Sequence, residues 1–216
     1  MIAGSIVALY HAPSRAIQST ILHFAGGIVV AAVATQLIPL VIKQAQHLPL
    51  YIGFLTGSAL MLTLEGLQKY VANHHLKGLP IGFLILVSVD LCIDGLLLGA
   101  CFTANTKSGS IIALALSLET LFLGLALIHE LSSVMRKQKS ILTITLISLL
   151  IPISSLIGFY LLGMLSHHWL TGLISFGVAA FLYLAIELIT KAHQVKDTPF
   201  TISAFFLGFL MILVIG

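Results

Sequence analysis

Asp90 and Asp94 stand four residues apart in a long apolar run, Leu79 to Phe102, and a third carboxylate, Glu119, stands in the next run. Residues four apart share a helix face, with Cβ atoms about 5–6 Å apart, so a helical run points both aspartates the same way. A charge near the centre of a membrane helix costs about 2.5–3.5 kcal/mol on insertion scales. Three such carboxylates cannot all be ionised without a counter-charge. A divalent cation with oxygen ligands supplies it, and so do protons, which would permit proton coupling. The functionless alternative is a protonated, hydrogen-bonded packing cluster. Ionisable groups within membrane segments mark ion pathways by default. Cation handling across a membrane is therefore the first expectation, with Asp90, Asp94 and Glu119 as metal ligands.

The rest of the chain must then be a scaffold in lipid. Of its 216 residues, 59% are hydrophobic and 8% charged, and the mean hydropathy is +1.13. A soluble domain carries about 25% charged residues, because it must cover its outside with polar groups. The expected class is all-α: a polytopic membrane helical bundle forming one domain over residues 1–216. The apolar runs are continuous rather than alternating, which argues against a β-barrel. Cys92 and Cys101 fall nine residues apart in one run, about 13 Å along a helix and too far for a disulfide. The N-terminus lacks a basic region, apolar core and small-residue cleavage site in sequence. No basic tract interleaves with aromatics, so nucleic acid is not an expected partner.

About 20 apolar residues span a bilayer. Seven runs meet this: Ala16 to Ile42, Leu48 to Leu67, Leu79 to Phe102, Ile111 to Val134, Ile141 to Leu165, Leu170 to Ile189 and Phe200 to Gly216. Met1 to Ala12 is apolar but short for a crossing: it reads as the end of a helix whose start is missing, a short tilted helix, or an interfacial segment. Taking it as the first of eight crossings, alternate loops on one side hold Arg15, Lys69, Lys77, Arg136, Lys137, Lys139, Lys191 and Lys196, and those on the other hold Lys43 and Lys107. The basic side is expected in the cytoplasm, with both termini outside. Should the first segment not cross, only the N-terminus changes side.

This topology gives the carboxylates a depth. Asp94 lies eight residues before Phe102 and Glu119 eight after Ile111, each about 12 Å from the outer end of its helix. A short hairpin makes these helices antiparallel neighbours, so Asp94 and Glu119 reach a similar level near the midplane, with Asp90 one turn further in. An internal echo runs at an offset of 151: Gly26 meets Gly177, Gln36 meets Glu187, Leu37 meets Leu188 and Ile38 meets Ile189. These are crossings two and seven, which run in opposite directions, and inverted repeats around a midplane site characterise transporters.

Other polar groups carry less. Gly95, Gly99 and Gly124 suit close helix packing. Cys101 lies near the Asp94 face and reads as a small core residue rather than a ligand. Glu65 and Lys69 read as a surface ion pair, His129 and Glu130 as a solvated helix end. The pairs His74–His75 and His167–His168 do not make sites, and Glu187 is an accessory candidate. No nucleophile elbow, P-loop, HExxH or paired-cysteine zinc motif is present, so no enzyme is expected.

At the level of whole segments the chain resembles the ZIP (Zrt-, Irt-like protein) family of divalent metal transporters. HFAGGIVVAAVATQLIPL is similar to that family's second helix, with Gln36 where His is usual, and YIGFLTGSALMLTLEGL to its third. SVDLCIDGLLLGACF resembles the fourth, whose pattern is His-Asn-x-x-Asp/Glu-Gly. ALSLETLFLGLAL resembles the fifth and LLIPISSLIGFYLLG the sixth, with two helices following. The resemblance implies eight helices arranged three, two and three, with inverted repeats, the first helix short here, and a metal site on helices four and five. At that site Asp90 replaces His, Leu91 replaces Asn and Asp94 keeps the carboxylate. Aligned on Gly124, Glu119 takes the first ligand position, while Thr120 and Leu123 stand where polar or acidic residues are usual. Ile151 precedes Pro152 where Glu is common. One metal position thus keeps Asp90, Asp94 and Glu119, and a neighbouring one is dismantled.

The expected function is transport of zinc, manganese or iron(II) toward the cytoplasm through this carboxylate site, the ion being cargo and not a resident cofactor. Loss of imidazole favours the harder ions. The alternative is a non-transporting, ZIP-like metal-binding membrane protein, a sensor or partner subunit; a proton or other-solute transporter is a third reading. The expected partners are the lipid bilayer and the ion, with a homodimer allowed. The expected location is multi-pass in a plasma or inner membrane.

Overall fold

The computed structural model describes residues 1–2, 4–5, 14–43, 47–74, 81–162, 164, 167–193 and 198–215. Among them there is helix and no strand. The helical segments are α1 (Arg15–Ala32), a π-helical turn (Val33–Leu37), α2 (Ile38–Lys43), α3 (His47–His74), α4 (Ile81–Ala104), α5 (Thr106–Val134), α6 (Lys137–Ser148), α7 (Leu150–Leu162), α8 (His167–His193) and α9 (Pro199–Ile215). Of the short first segment only Met1, Ile2, Gly4 and Ser5 are described, so whether it crosses lies outside the described residues.

Six stretches are long and apolar enough to cross a membrane: Ala16–Lys43, His47–Tyr70, Leu84–Ala104, Thr106–Leu125, Lys137–Leu161 and His168–His193. They answer to six of the seven runs read from sequence. The seventh is the 17-residue helix Pro199–Ile215, at the short end of the spanning range. Large apolar side chains face outward along these helices, including Leu55 (66% exposed), Phe206 (66%) and Val214 (78%). Such a surface suits hydrocarbon and not water. Trp169, Tyr160 and Tyr51 are exposed near helix ends, where amphipathic rings favour the membrane interface. The molecule is thus a helical, multi-pass membrane protein.

Two spans are broken, and proline accounts for both. Pro39 lacks an N–H and its ring crowds the carbonyl four residues back. The ladder widens into the π turn just before it, Val33–Leu37. Pro152 acts likewise, and the chain turns at Leu149 between α6 and α7, where the Leu149 amide reaches back to Leu146. The π turn presents Gln36, whose side chain accepts a buried hydrogen bond from Ser108 at 3.1 Å. That ties α1 to the start of α5.

Helices approach closely wherever glycine removes the side chain between them. A Cβ at Gly27 would overlap the Phe205 carbonyl of α9, and one at Gly208 the Phe24 carbonyl of α1. On the other side of the bundle, Gly53 of α3 lies on the Gly172 backbone of α8, and Gly57 on that of Phe176. The offset of 151 recurs here, since Gly57 corresponds to Gly208. A Cβ at Gly57 would also stand 3.1 Å from that of Ala179, and one at Gly208 would stand 3.2 Å from the amide nitrogen of Ile28, the residue that corresponds to Ala179. The α1/α9 and α3/α8 pairs therefore repeat one packing arrangement, which extends the echo from two segments to four.

A third close pair, α4 with α7, sets the position of the carboxylates. Gly95 rests on Ser154 and Ile151, Gly99 on Ser155 and Phe159. On the opposite flank of this unit Gly124 of α5 rests on Met1, and Ser5 donates to the Gly124 carbonyl at 3.0 Å. Between α3 and α8, Ser175 donates to the Leu50 carbonyl at 2.7 Å. Interhelical bonds of this kind contribute about 0.6 kcal/mol on average and up to about 1.7. Ser175→Ala is expected to lower unfolding stability in bicelles by that amount. A loss well above it would mean that packing, and not the hydrogen bond, is what Ser175 supplies.

Candidate metal centre

Asp90 and Asp94 project from α4 and Glu119 from α5. Only Asn105 separates these helices. Its side chain caps α5 by accepting from the amides of Lys107 (2.8 Å) and Ser108 (3.4 Å), which satisfies orphan donors of the first turn. The hairpin is therefore as tight as two helices allow. It places one carboxylate oxygen from each of Asp90, Asp94 and Glu119 within 4.8 Å of the others. Metal–oxygen bonds to hard divalent ions run about 2.0–2.6 Å, so a single ion fits among oxygens at this spacing.

The pocket around them is closed by α3 and α8. Met61, Ala180, Tyr183, Leu184 and Glu187 line the cavity together with the three carboxylates. Asp94 and Glu119 are 5% and 7% exposed, and Asp90 is half-buried. Glu119 Oε2 is buried and makes no hydrogen bond among the described residues. A buried carboxylate oxygen left without a donor is costly, and a bound cation removes that cost. Met61 offers a soft thioether at the wall, and the remaining donors are oxygens. The set suits hard or borderline divalent ions.

The neighbouring position that the resemblance marks as dismantled is filled with hydrocarbon. Leu123 and Ile151 pack on an apolar cluster that contains Leu91, Leu127 and Ile128. The Thr120 hydroxyl turns back on its own helix and donates to the Ser117 carbonyl at 3.2 Å. Among the described residues the three carboxylates are the group able to hold a metal.

Other residues singled out from sequence fall as follows. Cys101 is 3% exposed and part of the main apolar core. Glu65 and Lys69 form an ion pair at 2.6 Å. Glu187, the accessory candidate, lines the cavity and is bound by Lys191 at 2.6 Å. His168 is exposed. His75 and the side chains of His74, His129, Glu130 and His167 lie outside the described residues.

Sequence reasoning passed over Tyr183 and His23. Tyr183 stands four residues before Glu187 on α8, and that spacing alone could have placed it on the same face. His23 is 3% exposed, its ring lies 5.6 Å from that of His193, and its Nδ1 is 3.0 Å from the Ser19 carbonyl. It is not among the residues lining the carboxylate cavity.

No protein-family model matches the chain, and no curated protein matches it. What the site does must be argued from its own chemistry.

Proposed function

We propose that this protein carries a divalent metal cation across a membrane toward the cytoplasm, binding it at Asp90, Asp94 and Glu119. One observation carries the reading: three carboxylates from two helices of a membrane bundle converge within 4.8 Å, with a Glu119 oxygen buried and undonated. A packing cluster would need each carboxyl protonated and hydrogen-bonded, and Glu119 Oε2 has no such partner among the described residues. The repeated α1/α9 and α3/α8 packing around a separate unit carrying the site is the architecture on which alternating access operates. The resemblance to ZIP transporters points the same way. Manganese and iron(II) fit the oxygen-rich set better than zinc does, because no imidazole is present. The membrane we assign is a plasma or inner membrane.

The test is uptake of zinc, manganese, iron(II) and cadmium into proteoliposomes containing the purified protein, with and without a pH gradient. Saturable uptake of one ion supports the proposal and names the cargo. Uptake driven by the pH gradient with no metal present would make it a proton-coupled carrier of another solute. Metal binding with no flux would favour a non-transporting sensor or partner subunit, a reading that the apolar filling of the neighbouring position supports.

A further inference from the structure

We propose that the ammonium of Lys191 is a tethered cation that holds Glu187 out of the carboxylate site and so sets how tightly a divalent ion is retained there. This rests on the reading of Asp90, Asp94 and Glu119 as the ion site. Tyr183, Glu187 and Lys191 follow one another at intervals of four on α8, so they form one stripe along the helix. The stripe starts in the cavity, where Tyr183 and Glu187 are lining residues. It ends in the last turn of α8, on the side that the Lys and Arg bias places in the cytoplasm. Lys191 Nζ lies 2.6 Å from Glu187 Oε1, and its side chain is 54% exposed. One end of this pair is therefore in the cavity and the other at the exposed end of α8.

Four carboxylates thus face one small cavity, and a divalent ion balances only two of their charges. Affinity at oxygen sites rises with the count of charged ligands, and an ion that must cross has to be held weakly enough to leave. By occupying Glu187, Lys191 keeps the ligand set at three carboxylates. The neighbouring Glu65–Lys69 pair is likewise an i,i+4 ion pair, within α3.

The experiment is equilibrium binding of Mn²⁺ to the purified full chain in detergent. Lys191→Gln is expected to tighten binding about tenfold, because it frees a fourth charged ligand, and to slow saturated uptake in proteoliposomes. Lys191→Arg, which keeps the charge, is expected to return affinity to that of the parent. The double variant Lys191→Gln with Glu187→Gln is expected to lose the tightening. Unchanged or weaker binding by Lys191→Gln overturns the proposal, as does a tightening that persists in the double variant. If the parent binds no Mn²⁺, or Asp94→Asn binds it as well as the parent does, the ion site itself is wrong and this inference falls with it. If Asp94→Asn abolishes binding while Lys191→Gln matches the parent, only the role of Lys191 is overturned.

Discussion

Asp94→Asn and Glu119→Gln are each expected to weaken divalent-ion binding by at least about 100-fold and to reduce uptake to background. Changing a residue that merely supports a metal ligand costs about 10–100-fold in affinity, so removing a charged ligand from a set of three costs at least the upper end. Both side chains are buried at the centre of the site, where water cannot fully substitute for a lost carboxylate. Asp90→Asn is expected to cost about tenfold less, since Asp90 is less deeply buried than Asp94 and Glu119 and water can take over its place in the coordination shell. The folded protein is expected to tolerate these changes. Each removes a carboxylate that is crowded by two others, and amides are near-isosteric. Thermal unfolding of the metal-free variants should therefore match or exceed that of the parent. What should vanish is stabilisation by added ion, which for the parent reaches about 2.7 kcal/mol when the ion is at 100 times its dissociation constant. A variant that unfolds early without metal would point to a structural carboxylate cluster. One still stabilised by metal would place the ion elsewhere.

Gly27→Ala is expected to destabilise the bundle by about 1–3 kcal/mol, the usual cost of forcing an extra group into a packed interior, and Gly27→Leu is expected to prevent accumulation of folded protein. The reason is the α1/α9 crossing. A methyl group at Gly27 overlaps the Phe205 carbonyl and stands 3.0 Å from the Phe209 amide nitrogen. Both are helix backbone and neither can rotate away. The internal control is Gly66→Ala. Nothing lies within 4 Å of a Cβ at Gly66, so there the substitution should be neutral or stabilising by up to about 1 kcal/mol through helix propensity. Equal effects at the two glycines, measured by unfolding in detergent or bicelles, would remove close backbone approach as the explanation.

The two glycines also show how far sequence reading reaches in this chain. Both sit in apolar helical runs, and composition does not distinguish them. Gly27 became interpretable only when α9 was found against it. Cys101 was different: it was legible from sequence as a small core residue, and it is buried in the main apolar core. Glu187 was legible as a deep acidic residue and its i,i+4 pairing with Lys191 is local to α8, but its opening onto the cavity depends on how α8 lies across α4.

Some things follow from the sequence alone because they rest on local or one-dimensional physics. Hydropathy and run length determine that the chain is helical and crosses a membrane repeatedly, since backbone polar groups in lipid must be satisfied within each segment. The i,i+4 spacing determines that Asp90 and Asp94 share a face. The short hairpin between the runs ending at Phe102 and starting at Ile111, through the equal rise of its two helices, brings Glu119 to their level. The lateral arrangement is different. In a bilayer every helix is apolar all round, so no amphipathic stripe states which neighbour it meets. Only tertiary packing, through backbones meeting at glycine and serine, decided that α3 and α8 close the cavity, that Tyr183 and Glu187 line it, and that the packing of α1 on α9 is repeated in α3 on α8.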